Sequence, residues 1–107
     1  MSPEDFNVAA QITPEDVAEI AKAGFKSIIC NRPDGEAPGQ PHFYAIKAAA
    51  AALGIETRYI PISPGAHGPE DVEAFAQALK EMPRPILAYC RSGARCNMLF
   101  QLALSDK

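Results

Sequence analysis

Short apolar runs and longer stretches of helical spacing follow one another along the 107 residues of this chain. Residues 26–30, 56–60 and 86–89 are too short for helices and carry the β-branched and apolar side chains of buried strands. Before the first of them, Thr13-Pro14-Glu15-Asp16 reads as a helix start: Thr13 as N-cap, Pro14 at the first helical position and acids in the first turn. Val17, Ile20 and Ala21 then share a face, and Gly24 is placed to end the element. An alanine-dense helix over 42–53 closes at Gly54, since alanine is the best helix former. Pro69-Glu70-Asp71 repeats the start signal for a helix whose apolar face is Val72, Phe75, Ala76 and Leu79. A last helix spans about 96–104.

The order is βαβαβα, with a further short strand near 6–9. Strands alternating with helices of this length predict an α/β fold, a mainly parallel sheet flanked by helices, as one domain over 1–107. Ligands of such sheets gather at the C-terminal ends of the strands. Three loops meet there: 31–41, rich in Gly and Pro, 62–68 and 90–95.

Composition narrows the function without choosing it. With 48% apolar residues, 21% charged residues and a net charge of −3, the chain has the profile of a globular domain. That charge argues against nucleic acid or an anionic membrane as partner. No apolar stretch reaches the roughly 20 residues of a membrane span. The Met1-Ser2-Pro3-Glu4-Asp5 start has no basic and apolar leader pattern, and three cysteines make an odd set. Free thiols in a reducing, cytoplasmic setting are the expectation. No metal-ligand spacing is present and no cofactor is expected.

The chemistry concentrates in Tyr89-Cys90-Arg91-Ser92-Gly93-Ala94-Arg95. A cysteine that ends a strand just ahead of a helix meets converging backbone N–H groups and the positive end of the helix dipole. Arg91 and Arg95 add cations. All of these favour the thiolate, which is the nucleophile. A structural core cysteine needs neither two arginines nor a glycine suited to a tight, ligand-facing loop.

Two families of cysteine enzymes use such a loop, and the chain resembles both. Protein-tyrosine and dual-specificity phosphatases carry a histidine, the cysteine, five residues and an arginine. Rhodanese-type sulfurtransferases carry a shorter loop resembling Cys-Arg-Ser-Gly-x-Arg. Here four residues intervene and Tyr89 stands in the histidine's place, so loop length matches the sulfurtransferases. The segment Gly24 to Glu36, with its Asn31-Arg32-Pro33-Asp34-Gly35-Glu36 loop, resembles dual-specificity-phosphatase-like domains instead. With Tyr59-Ile60-Pro61-Ile62 and the closing loop, residues 6–104 resemble the small bacterial beta-lactamase-hydrolase-like family. That family is phosphatase-like in fold, is labelled both phosphatase and sulfur transferase, and also occurs fused to a persulfide dioxygenase.

The resemblance implies a cysteine-phosphatase-like fold with Cys90 as nucleophile and Arg95 as the fork that grips an anion. The N–H groups of Arg91, Ser92, Gly93, Ala94 and Arg95 cradle the same anion. Cys96 stands where family members have Ser or Thr. It is either a small helix-start residue or a thiol that resolves an oxidised or persulfidated Cys90. A phosphatase also needs a proton donor for its leaving group, and the loop over 62–68 holds no carboxylate. His67, or Asp34 from the other loop, is the substitute to examine; Arg32 either pairs with Asp34 or lines the pocket.

Sulfane-sulfur transfer needs no such donor. The expectation is therefore a Cys90 persulfide loaded from a small anionic donor such as thiosulfate or a persulfide and unloaded to a thiol acceptor. It extends to functional pairing with a persulfide-processing enzyme. The alternatives are a phosphatase acting through a phosphocysteine and a non-catalytic anion-binding or redox-sensing module.

Overall fold

The computed structural model describes residues 4–105; Met1 to Pro3, part of the start read as leaderless, lie outside them. In chain order the elements are β1 (Phe6–Ala9), α1 (Asp16–Lys22), β2 (Ser27–Cys30), α2 (Phe43–Ala52), β3 (Glu56–Tyr59), α3 (Pro69–Glu81), β4 (Ile86–Tyr89) and α4 (Ala94–Ser105). The four strands form one sheet in the order β1-β4-β2-β3, and every neighbouring pair is parallel. The predicted α/β architecture is the observed one.

Alternation along the strands divides the interior into two cores. Ile29, Ile86 and Ala88 face α3 and α4, where they meet Phe75, Leu79 and Leu99. Ile28, Cys30, Leu87 and Tyr89 face α1 and α2 and pack with Val17, Ile46 and Ala50. Every residue of β2 and β4 is buried, as expected of central parallel strands covered on both sides. Phe6 of β1 stacks on Phe100 at 4.0 Å between ring centres and meets Phe75 edge-on at 5.9 Å. These contacts lock the edge strand to α3 and α4.

Helix ends follow local chemistry, with two shifts from the sequence reading. Thr13 and Asp16 exchange hydrogen bonds, Thr13 N–H to Asp16 Oδ2 at 2.8 Å and Asp16 N–H to Thr13 Oγ1 at 3.3 Å. Regular helix nonetheless begins only at Asp16, because 14–15 form a turn ahead of it. At α3, Asp71 reaches back to the Gly68 N–H at 2.8 Å, the acidic half of a capping box. The second shift matters more: α4 starts at Ala94, two residues earlier than the sequence reading, so Arg95 and Cys96 belong to its first turn. No helix among the described residues is long and apolar enough to cross a membrane.

Candidate active site

Cys90 follows the last residue of β4 and precedes α4 by a tight turn. Its backbone N–H donates to Ala9 O of β1 at 3.3 Å, while on the other side Asn31 N–H donates to Tyr89 O at 2.9 Å. The end of the central strand is thus held from both flanks. Gly93 takes φ 94°, a conformation open to glycine, and this turns its N–H onto Cys90 Sγ at 3.1 Å. The N–H groups of Ser92, Arg95 and Cys96 are aimed at the same sulfur. Four backbone donors and a helix N-terminus therefore converge on one atom.

The largest single effect on that sulfur comes from a side chain. Cys96, in the first turn of α4 and fully buried, donates its thiol hydrogen to Cys90. This bond, with those from the backbone, outweighs the burial of Cys90 and holds its thiol down at about 4. The hydrogen bond it gives to Cys90, and burial, push the Cys96 thiol well above the ordinary thiol range. The pair is one thiolate and one thiol sharing a proton-bearing contact. The guanidinium charges expected to depress Cys90 are not its leading influences.

Arg95 is fixed by a residue that sequence reasoning did not select. Its Nη1 and Nη2 donate end-on to Glu36 at 2.7 and 2.9 Å, and Nη1 also donates to Ile62 O at 2.9 Å. Glu36 binds Arg32 Nε as well, at 2.9 Å, and Arg32 Nη1 continues to Gln11 Oε1 at 3.0 Å. Arg95 and then Arg32 hold the Glu36 carboxyl down to about 2, so it is an anion wherever the protein works. A guanidinium has five N–H donors. Glu36 and Ile62 take three of those on Arg95; Nε–H and one Nη2–H, which form one edge, have no partner among the described residues. That edge is a bidentate anion site, and Glu36 sets its direction.

The other expected residues sort by position. Ser92 Oγ accepts from Ala94 N–H at 3.3 Å and shapes the turn. Arg32 pairs with Glu36, not with Asp34 as the ion-pair reading had it. Asp34 Oδ1 accepts from Phe43 N–H at 2.8 Å and caps α2, and its own N–H donates to the Tyr59 hydroxyl at 2.9 Å. Its carboxylate is occupied at a helix end. His67 is exposed and lines a cleft with Pro69, Val72 and Leu102, between α3 and α4. Neither residue is brought to Cys90.

Tyr89 points to the opposite core from Cys90, as successive strand residues must, and donates its hydroxyl to Cys30. Burial, foremost, raises both the Tyr89 hydroxyl and the Cys30 thiol, so both stay neutral. Beyond the cradle, Arg32, Glu36, Ala37, Pro38, Pro64 and Arg91 enclose a cleft of about 400 Å³.

A parallel four-stranded sheet with a thiolate loop leading into a helix N-terminus defines a domain of the cysteine-phosphatase fold class. The chain belongs to the family described as beta-lactamase hydrolase-like protein, phosphatase-like domain, whose model matches residues 1–106. It is 39% identical over 99 residues to a beta-lactamase hydrolase-like protein of Agrobacterium fabrum, covering 92% of this chain and 23% of the relative. A namesake from Xylella fastidiosa is 33% identical over 100 residues, with 94% of this chain and again 23% of the relative covered. The chain thus spans about a quarter of the length of these curated relatives. Among solved structures, a "putative phosphatase" of Neisseria meningitidis superposes with a TM-score of 0.84 at 39% identity, over 91% of this chain and 69% of that one. The core catalytic domain of a PP-IP phosphatase from S. cerevisiae shares the fold, with a TM-score of 0.63 at 16% identity, over 97% of this chain and 73% of that one.

Proposed function

We propose that this domain is a cysteine-dependent hydrolase of phosphate monoesters, rather than first a sulfurtransferase. The observation that carries the reading is the free Nε/Nη2 edge of Arg95 beside a buried sulfur that four N–H groups and a thiol keep ionised. The phosphatase names and folds of the relatives support the same choice.

In the first step the Cys90 thiolate attacks phosphorus. The S–P bond forms as the P–O bond to the leaving group breaks, and the electron pair departs on that oxygen. The Arg95 edge holds phosphoryl oxygens as charge shifts among them, while the loop N–H groups stabilise the sulfur that attacks and later leaves. Water then attacks phosphorus, the S–P bond breaks, and Cys90 returns to thiolate as inorganic phosphate leaves. Among the described residues no carboxylic acid stands ready to protonate the leaving oxygen, since Glu36 is ion-paired and Asp34 caps α2. The substrates served best are esters of acidic alcohols, above all phenols.

Phosphate release from a series of aryl phosphates tests this. Turnover that Cys90→Ser abolishes, and that falls steeply as the phenol becomes less acidic, is the expected result. No Cys90-dependent phosphate release from any member overturns it.

Sulfane-sulfur transfer is the second reading, favoured by the four-residue spacing between Cys90 and Arg95 and by the missing proton donor. Its donor is a small sulfur anion such as thiosulfate and its acceptor a thiol, with a persulfide-processing enzyme as functional partner. Incubation with thiosulfate then adds one sulfur to the intact mass, on Cys90, and cyanide removes it. An unchanged mass rejects this reading.

A further inference from the structure

Three guanidinium groups line or border the cleft, and only two of them are spoken for. Arg32 and Arg95 share the single carboxylate of Glu36, and Arg32 also reaches Gln11. Arg91 is exposed on the same wall, and its side chain has no hydrogen-bond or ion-pair partner among the described residues. Its backbone is not free: Gln11 N–H donates to Arg91 O at 3.3 Å. Gln11 therefore ties both Arg32 and the backbone of Arg91 to the cleft. With a chain net charge of −3, a cationic excess at this one place is a local inversion of the overall field.

The cleft is also larger than its chemistry needs. A volume of about 400 Å³ falls in the range of roughly 300–1,000 Å³ that takes whole organic ligands, more than one phosphoryl group fills. Ala37, Pro38 and Pro64 give the remaining space apolar walls, and the prolines give them fixed backbones. A cleft beside the Cys90 loop, with apolar walls and an unpaired guanidinium from Arg91, fits a particular shape of ligand.

We propose that Arg91 reads a second anionic oxygen group, so that the cleft selects small organic phosphates carrying another phosphate or a carboxylate a few bonds from the transferred group. As a statement about substrates this rests on the phosphatase reading; as a statement about binding it does not. A planar fork suits either anion, and lysine would meet the charge without the geometry.

The test uses Cys90→Ser protein, which cannot form the S–P bond, and three probes: phenyl phosphate, 3-carboxyphenyl phosphate and 1,3-phenylene bisphosphate. Titration calorimetry gives their dissociation constants at low and moderate salt. The second anion tightens binding about tenfold, the scale of one charge-assisted bidentate contact, and the advantage shrinks as salt rises.

Adding Arg91→Gln reduces the advantage to less than twofold, and Arg91→Lys leaves an intermediate one. Thermal melts of each variant exclude unfolding as the cause. A gain with the bisphosphate alone also supports the proposal and narrows the class to bisphosphates. Equal affinity for all three probes, or an advantage that survives Arg91→Gln, overturns it. Turnover of the same compounds by the wild-type protein is read separately. If no phosphate is released while the binding advantage holds, the phosphatase reading falls and the Arg91 site stands.

Discussion

Two thiols, one just past β4 and one in the first turn of α4, do different work because each fixes the other's proton. Cys96 gives its hydrogen to Cys90, and Cys90 keeps none. Alkylation by iodoacetamide should therefore titrate with a midpoint at about 4 and map to Cys90. Cys96→Ala removes the leading donor and raises that midpoint by a unit or more, on the order of the shifts lost with such bonds; Cys96→Ser, which keeps a hydroxyl donor, restores most of it. An unchanged midpoint in Cys96→Ala would mean that the backbone N–H groups suffice.

Glu36 carries the second prediction. Glu36→Gln loosens the Arg95 fork and lowers kcat/KM for aryl phosphates by roughly ten- to a hundredfold, the usual scale for misplacing a charged transition-state contact. Its carboxyl is depressed in the folded protein, so its contribution to stability is complete above its ordinary value of 4.5 and is lost as pH falls toward about 2. Denaturation midpoints of wild type and Glu36→Gln should differ most above pH 5, about where titration of the unfolded chain ends, and converge toward the acid end. Cys90 and Arg95 were legible in the sequence because they sit in one short run. Glu36 was not: it lies in the quoted Asn31-to-Glu36 run, but its role depends on a partner 59 positions away.

Among the elements, α4 contributes most, since its first turn carries both Arg95 and Cys96. The sequence placed its start two residues late, because Gly93 and the small Ala94 look like loop when the helix N-terminus is not known to wrap the cysteine. Gly93 is the hinge of that wrap. An added methyl group finds only ordinary contacts, Ala9 O and Val8 Cγ2 both at 3.5 Å, so Gly93→Ala suffers from its backbone angle and not from crowding. The expected cost is about 1–2 kcal/mol, together with a raised Cys90 alkylation midpoint as the Gly93 N–H swings away. Phe75 on α3 tests the core that Cys90 and Cys96 share. It is fully buried against Phe6, and Phe75→Ala should cost about 3–5 kcal/mol in urea denaturation. The α3 face was readable from spacing alone, because a core stripe repeats locally, whereas a site that joins three loops does not.

At the scale of the whole molecule, strand order decides what can move. β4 lies between β1 and β2, and its end is bonded to Ala9 on one side and Asn31 on the other. Amide exchange should accordingly be slowest in β2 and β4 and much faster across 61–68, where backbone bonding is sparse. Strand alternation and helix spacing made this sheet predictable in kind. Its order was not, since a βαβαβα pattern allows several arrangements; in the observed one β1 is the edge strand beside β4, with Phe6 packed on Phe75 and Phe100. The sulfur is in consequence the stationary member of any encounter. Shape-based control of this domain has no purchase on the nucleophile and must work at the rim, on the two proline-walled segments that frame the cleft. A molecule held between Pro38 and Pro64 would fill the cleft that Arg91 lines and leave the fixed sulfur as it is.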